Sequence, residues 1–309
     1  MIHIVASDFL MPETSYDPFE QNEKFDLLQE DGEVYSRLFG ICNVPISEEK
    51  TEVLMLRLLD RFIEGQGHEC QNIKYLIHAY TAGDCVPPGH SIVRELGKRI
   101  GLSTRQSFGT NINKCVSVYS ALKMAEAFLE QEEDGSSILI MTGDVGYTRD
   151  LRVIPNTSIG GDAVAALLVK KGKGRDAMLL NKQHVVGKYA TGTWASREEA
   201  KDLEVNFIPL LVDLMMKNLE EARLSLEDLK WIVPHNINLP TWKKVAKHMG
   251  LKQNLFFLSN ISKYAHCYNS DFIINHKTLV DEQLLQKGDY YLCAAAGVGT
   301  VFSTALFQY

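Results

Sequence analysis

Short apolar runs alternate along the chain with longer stretches in which apolar residues recur every three or four positions. The short runs predict buried β-strands, and the longer amphipathic stretches predict helices. Strands are predicted over residues 2–6, 73–78, 137–142, 163–169, 229–233, 290–295 and 303–307. Helices are predicted over residues 51–64, 91–100, 116–131, 197–222, 241–248 and 279–286. This alternation is typical of an α/β protein whose sheets are largely buried.

The order of elements in the first part of the chain is repeated in the second. The strand at 73–78 leads to a helix that stops at Gly101-Leu102, and the strand at 229–233 leads to a helix that stops at Gly250-Leu251. A further pair of strands follows in each case. The repetition predicts two related halves, residues 1–175 and 176–309, which meet at the polar turn 170–175.

Composition narrows the class of protein. Apolar residues make up 45% and charged residues 23%, as in an ordinary globular protein, and the net charge of −7 argues against a nucleic-acid binder. The longest apolar stretch, 290–302, contains two glycines and is too short to span a bilayer. No signal peptide is visible, and the six cysteines include no C-x-x-C pair, so we expect reduced thiols and a cytoplasmic protein.

Cys115 is the first candidate for chemistry. It lies between a polar turn and a predicted helix that is apolar on almost every face, which indicates a helix buried inside a domain. A thiol at the N-terminus of such a helix would be stabilised as a thiolate by the helix dipole, and Lys114 would add to this effect if its side chain points inward. The structural alternative is a small cysteine that only fills space in the core.

Two polar stretches supply further candidates. His235 follows the strand at 229–233, where active sites of α/β proteins collect, although a hydrogen-bonded loop histidine is an equal alternative. His266, Asn269 and Asp271 lie within six residues of each other, between a predicted strand at 255–258 and an apolar stretch. This density predicts a polar pocket, and the alternative is a loop in which Asn269 or Asp271 caps the following helix.

A glycine-rich segment near the C-terminus is the last candidate. Gly297, Val298 and Gly299 allow a close backbone approach, so an N–H group of this loop could bind an oxyanion. The segment is not a phosphate loop, because it precedes a strand and lacks the Gly-Lys-Ser/Thr sequence. No metal site is expected, since no histidines or cysteines stand at ligand spacing.

Taken in order, these motifs resemble the β-ketoacyl-acyl carrier protein synthase III family of the thiolase superfamily over nearly the whole chain. Cys115 resembles the acyl-accepting cysteine, Gly-Gly-Asp-Ala at 160–163 resembles the family's strand entry, and Pro-His-Asn-Ile-Asn at 234–238 resembles its Pro-His-Gln-Ala-Asn motif. The segment 297–299 resembles its glycine-rich loop. The resemblance implies a thiolase-like, five-layered αβαβα fold built from two duplicated halves.

The resemblance also implies substrates and partners. Acyl-CoA, or the phosphopantetheine of acyl carrier protein, would be the acyl donor, with no tightly bound cofactor and a small molecule as acceptor. Arg37, in a segment similar to the family's Thr-Arg-Thr-Gly-Ile but shifted by one position, and Asn238 would contact coenzyme A. A homodimer is implied, with Val86 near the partner's acyl pocket and with Asp84 and Cys85 able to modify that pocket.

One departure from the family decides between two reactions. The usual Tyr-Gly-Asn-Thr-Ser segment is replaced here, and His266 stands in the position of its asparagine. A set of Cys115, His235 and His266 would stabilise the enolate of a malonyl thioester during decarboxylative condensation. However, His266 and Asp271 have the spacing found in related acyltransferases of secondary metabolism that use Cys, His and Asp. We therefore favour acyl transfer, with His235 oriented by Asp271 as the general base. A catalytically inactive partner of another synthase is a third alternative.

Overall fold

The computed structural model describes residues 1–83 and 86–309, so Asp84 and Cys85 lie outside the described residues. The strands are β1 Ile2–Leu10, β2 Ser15–Tyr16, β3 Val44–Pro45, β4 Ile73–Ala79, β5 Ser107–Thr110, β6 Ser137–Asp144, β7 Val153–Ile154, β8 Ser158–Ile159, β9 Ala163–Lys171, β10 Asp176–Val185, β11 Leu229–Pro234, β12 Tyr290–Gly297 and β13 Val301–Gln308. The α-helices are α1 Gln29–Glu33, α2 Thr51–Gln66, α3 Ile92–Arg99, α4 Ser117–Glu130, α5 Arg149–Arg152, α6 Arg197–Ala222, α7 Leu239–His248, α8 Ser259–Tyr264 and α9 Ser270–Asp281.

The long strands form two sheets that meet at one narrow junction. Their order is β11-β12-β13-β10-β1-β9-β6-β4-β5. Between β10 and β1 the pairing comprises only His3 opposite Ala177 and Ile4 opposite Asp176. Strands β4, β5 and β6 pair in parallel, as do β11 and β12, whereas the remaining pairs in this order are antiparallel. The junction therefore separates an N-terminal sheet of five strands from a C-terminal sheet of four.

Two helices, α4 and α9, lie between the sheets. Leu122 of α4 and Ile273 of α9 belong to one buried cluster with Ile140 of the N-terminal sheet and Phe307 of the C-terminal sheet. Helices α2 and α3 pack on the outer face of the N-terminal sheet, and α6 and α7 pack on the outer face of the C-terminal sheet. This arrangement is the layered αβαβα architecture that the resemblance implied, and it places the N-termini of α4 and α9 in the interior.

Most of the predicted elements are present, but two predictions were wrong. The final helix was expected over 279–286, whereas α9 begins at Ser270 and ends at Asp281. Its surroundings explain the error, because a helix enclosed by two sheets is apolar on several faces and lacks a clear amphipathic period. The strand expected at 255–258 is a short 3₁₀ turn followed by a single bridge between Phe256 and Ile232.

The chain passes from one sheet to the other through residues 172–175, which join β9 to β10 without an extended linker. Among the described residues, no helix is both long enough and apolar enough to cross a membrane.

Candidate active site

The turn before α4 places Cys115 at the centre of the molecule. Residues Lys114–Val116 form a 3₁₀ turn that runs directly into α4, and Lys114 has a positive φ of 52°. Cys115 is 5% exposed, so its thiol faces the buried N-terminal end of α4, as predicted. The side chain of Lys114, however, is exposed, and it does not supply the inward-pointing charge that was considered from the sequence.

A second turn, between α8 and α9, brings a histidine and a carboxylate together. His266 Nδ1 lies 2.6 Å from Asp271 Oδ2, and both side chains are almost completely buried. The carboxylate also accepts the backbone N–H of Cys267 at 2.7 Å and that of Asn236 at 2.7 Å, and a weaker bond from Asn236 Nδ2 at 3.3 Å. These contacts to both of its oxygens hold the carboxylate in a fixed orientation.

His266 links this carboxylate to Cys115. Burial alone would lower the pKa of His266, but the charge and hydrogen bond of Asp271, together with a hydrogen bond to Cys115, outweigh burial and raise the pKa to about 10. The imidazole is therefore protonated at neutral pH. The resulting sequence of contacts is cysteine, histidine and aspartate, and the histidine in it is His266.

His235 lies at the end of its strand, but the carboxylate expected to orient it binds another residue. We expected Asp271 to orient His235, and this prediction was wrong, because the carboxylate bonds His266 and the backbone beside His235. Neither ring nitrogen of His235 has a hydrogen-bond partner among the described residues, although the side chain is buried. Burial, followed by the nearby charge of His266, lowers the pKa of His235 well below its usual value. His235 is therefore a neutral imidazole.

Aromatic packing holds His235 beside the other histidine. Its ring lies edge-on to His266, with 5.4 Å between the centroids, and edge-on to Trp242 at 5.5 Å. Trp242 Nε1 also donates to the backbone carbonyl of His235 at 3.0 Å. Strand β11 ends directly before His235, so the sheet, the tryptophan and the adjacent turn fix its position without a bond to the imidazole itself.

Cys115, His235 and Asp271 line one pocket, and His266 lies beside it without being one of its lining residues. The rest of the lining is Val118, Tyr119, Val233, Pro234, Tyr268, Asn269, Phe272 and Ala295. One ligand atom each from His235, His266 and Asp271 lies within 4.8 Å of the others, so these three side chains could hold a metal ion. The sequence predicted no metal site, because the three residues are brought together by the fold and not by their spacing.

The glycine-rich loop lies against the nucleophile turn. A Cβ atom added to Gly297 would stand 2.6 Å from the carbonyl oxygen of Asn113 and 3.2 Å from Val116, so only glycine allows this approach. Gly299 has a φ of 86°, and Val298 is 39% exposed. The loop therefore packs against Asn113 and Val116, on either side of Cys115, and the oxyanion site expected from the sequence stays a prediction.

Arg37 and Asn238 lie outside the cysteine pocket, whereas Asn269 is part of its lining. Arg37 is exposed on its surface helix, where it pairs with Glu33 at 2.8 Å and lies over the ring of Phe19. Asn238 is buried and caps α7, since its Oδ1 accepts the N–H of Thr241 at 2.7 Å. Asn269 makes no hydrogen bond to either histidine, and its side chain is turned towards the nucleophile turn.

Sequence reasoning missed the residues that hold the backbone of His266. Arg152 and Asp162 form a buried pair in which each guanidinium nitrogen bonds one carboxylate oxygen, at 2.8 and 3.0 Å. Arg152 also donates to the carbonyl of Gly160 at 3.0 Å, and the N–H of Gly161 donates to the carbonyl of His266 at 2.9 Å. The Gly-Gly-Asp signal at 160–162 pointed to this turn, whereas nothing local marked Arg152 as its partner.

The sequence is similar to those of known proteins. Residues 219–309 match the family model described as 3-oxoacyl-[acyl-carrier-protein] synthase III C terminal. The β-ketoacyl-[acyl-carrier-protein] synthase III of Clostridium acetobutylicum is 22% identical over 279 residues, which cover 84% of this chain and 85% of that protein. The protein of the same description from Clostridium tetani is 30% identical over 126 residues, or 37% of each chain.

Solved structures show the same fold over the full length. The acyltransferase ChlB3 has a TM-score of 0.86 at 18% identity, covering 99% of this chain and 97% of its own. The 3-oxoacyl-[acyl-carrier-protein] synthase III of Aquifex aeolicus has a TM-score of 0.80 at 16% identity, covering 100% of both chains. OleA of Xanthomonas campestris, solved with lauric acid and lauroyl-CoA, has a TM-score of 0.82 at 14% identity, covering 100% and 99%. The chain therefore has the thiolase-like α/β fold.

Proposed function

We propose that the chain is an acyltransferase of the β-ketoacyl-acyl carrier protein synthase III-like family of the thiolase superfamily, in which Cys115 carries the acyl group. The acyl donor would be acyl-CoA or an acyl carrier protein, and the acceptor would be a second nucleophile of lipid or secondary metabolism. The observation that carries this proposal is the hydrogen-bonded order of Cys115, His266 and Asp271.

The first step forms the acyl-enzyme. The thiolate of Cys115, paired with the protonated His266, attacks the thioester carbonyl and forms a new carbon–sulfur bond. The carbon–sulfur bond to the donor then breaks, and the departing thiolate takes the proton of His266. Backbone N–H groups of Cys115 and of the 297–299 loop would bind the oxyanion in this step. At the end of this step His266 is neutral, and Asp271 still holds the imidazole through Nδ1.

The second step uses that neutral imidazole. An acceptor hydroxyl, amine or thiol attacks the acyl-enzyme carbonyl while His266 removes its proton, and Asp271 stabilises the imidazolium that forms. The bond between the acyl carbon and Cys115 breaks, which restores the thiolate and the protonated histidine. His235, neutral and without a partner, would donate one N–H to an oxygen of the acyl group or of the acceptor.

Decarboxylative condensation is the second candidate, and the neutral His235 beside His266 favours it, since two imidazoles in one pocket could stabilise an enolate. The buried Asp271 carboxylate argues against it. A malonyl carboxylate placed in the same pocket would meet a like charge in a low-dielectric environment. We therefore place condensation second.

Mass spectrometry and carbon dioxide release test the proposal together. Incubation with acyl-CoA should add one acyl mass to the peptide that contains Cys115, and Cys115→Ala should gain none. The loaded enzyme should then release the acyl group to small alcohols or amines, with no carbon dioxide from a malonyl thioester. Carbon dioxide release would favour condensation, and absence of any mass gain would favour the inactive partner subunit.

The remaining expectations from the family are part of this proposal. The enzyme would act without a tightly bound cofactor, and it would work in the cytoplasm as a homodimer. Arg37 remains the proposed contact for coenzyme A, because its guanidinium is exposed. Sedimentation of the purified protein measures the oligomeric state, and a value of one chain would exclude the dimer.

A further inference from the structure

Asn269 stands at the N-cap position of α9, but its side chain makes no hydrogen bond to that helix. Asparagine is favoured at this position because its side chain usually accepts an N–H of the first helical turn. Here the amide is turned away from α9 and towards the turn that carries Cys115. The cap interaction considered from the sequence is therefore absent, and another contact accounts for this buried side chain.

The side-chain amide of Asn269 makes hydrogen bonds to the backbone on both sides of Cys115. Its Oδ1 accepts the backbone N–H of Val118 at 2.9 Å, and its Nδ2 donates to the backbone carbonyl of Lys114 at 2.9 Å. The other hydrogen on Nδ2 is donated to Thr81 Oγ1, at an Nδ2 to Oγ1 distance of 3.1 Å. One side chain thus satisfies a carbonyl directly before Cys115 and an N–H three residues after it. A side chain needs both a donor and an acceptor to do this, as an amide has.

The backbone held in this way is strained. Lys114 has a φ of 52°, a left-handed conformation that costs a residue with a side chain about 1 kcal/mol or more. Such a conformation persists only where surrounding contacts fix it, and the bond from Asn269 to the Lys114 carbonyl is one of those contacts. Asn269 also belongs to the turn that carries His266 and Asp271, so it connects the nucleophile turn directly to the turn of the general base.

We propose that Asn269 is a positioning residue that fixes the sulfur of Cys115 relative to the imidazole of His266. This proposal rests on the proposed function only in taking Cys115 as the reactive nucleophile. Asn269 does not exchange a proton with substrate, because its two amide hydrogens are both committed to protein oxygens. Its loss would let the Lys114 turn relax, which would weaken the hydrogen bond between Cys115 and His266 and the pairing that favours a thiolate.

The test compares Asn269→Leu with Asn218→Leu. Leucine branches at Cγ as asparagine does, but it is larger and can neither donate nor accept a hydrogen bond, and both variants introduce the same change in size. Asn218 is a fully buried asparagine of α6 that donates to the carbonyl and the hydroxyl of Thr304, and neither residue lines the pocket. The rate of alkylation by iodoacetamide is followed at the Cys115 peptide by mass spectrometry from pH 5 to 9, together with thermal unfolding.

We expect Asn269→Leu to alkylate at least about 10-fold more slowly at pH 7, with its rate profile moved to higher pH, since small displacements of reacting groups have effects of this size. Asn218→Leu should lose stability yet keep the wild-type profile. Thr81→Val removes only the outermost of the three bonds, should fold, and is expected to show a smaller effect in the same direction.

Wild-type alkylation rates and profiles in both Asn269→Leu and Thr81→Val would overturn the proposal, as would an equal change in Asn218→Leu. If Asn269→Leu does not fold, the Thr81→Val profile decides alone. The alkylation measurement uses no acyl donor. Failure of the wild-type protein to transfer acyl groups would therefore contradict the proposed function and leave the alkylation result unchanged.

Discussion

Replacing Asp271 by asparagine tests the order of the proposed catalytic residues. Each carboxylate oxygen accepts two donors, at 2.6 and 2.7 Å on Oδ2 and at 2.7 and 3.3 Å on Oδ1. An amide nitrogen cannot accept, so in either orientation of the new side chain one backbone N–H faces another donor. Leaving that group unsatisfied costs about 1–3 kcal/mol of stability, and the charge that keeps His266 protonated is removed.

The effect on catalysis follows from the histidine. Raising the pKa of His266 from 6.5 to about 10 corresponds to a net effect of about 5 kcal/mol in favour of the imidazolium, which is what remains after Asp271 and Cys115 have offset burial. We expect acyl transfer to fall by about 10³-fold, or about 4 kcal/mol.

Single-turnover kinetics measures this loss for acylation of Cys115 and for release to the acceptor separately. Asp281→Asn is the matched control, because it makes the same change at the other end of α9, where the carboxylate pairs with Lys277 on the surface. A rate for Asp271→Asn within about threefold of the Asp281→Asn rate would refute the assignment of His266 and Asp271 as the working pair.

Three further predictions follow from the same site. His235→Phe should leave the free energy of unfolding unchanged or raise it, because it removes two buried nitrogens without partners, and should still reduce acyl transfer at least about 10-fold; chemical denaturation and transfer assays compare the two. The stability that His266 adds relative to His266→Gln should be fully present below pH 6.5 and should disappear as pH rises through about 10, because the pKa of His266 is raised in the folded state. Urea titrations of both proteins across this range measure the difference in their free energies of unfolding, and a difference that grew with pH would contradict the reasoning. Gly297→Ala should cost about 1–3 kcal/mol and slow acylation more than release, because its new Cβ would press on the Asn113 carbonyl; an unchanged acylation rate would exclude the loop from oxyanion binding.

Local patterns predicted most of the fold, and packing explains where they failed. Strands such as β6 and β9 are buried along most of their length and appear in the sequence as short apolar runs, so their positions followed directly. Helix α2 borders solvent and shows a clear amphipathic period. Helix α9 is enclosed on both sides, and the start at Ser270 was hidden because its first turn carries polar groups that serve the pocket.

The candidate site was predictable in its members but not in its pairing. Cys115 and His235 were recognisable from their places at a helix start and a strand end, and His266 and Asp271 from their spacing. Which histidine the carboxylate binds depends on how α9 lies against the end of β11, and this is a tertiary relation. Asn236 is the decisive contact, since its backbone N–H occupies Asp271 from the side of His235.

The two histidines of the pocket have opposite protonation states for two physical reasons. Burial is the larger cause that lowers the pKa of His235, and the charge of His266, whose ring lies 5.4 Å away, lowers it further. Asp271 determines which of the two imidazoles is charged, because it binds His266 and makes no bond to the ring of His235. In the proposed mechanism, proton transfer therefore belongs to His266, and hydrogen-bond donation without proton transfer belongs to His235. Two similar side chains in different environments thus take different roles, and the position of one carboxylate sets the assignment.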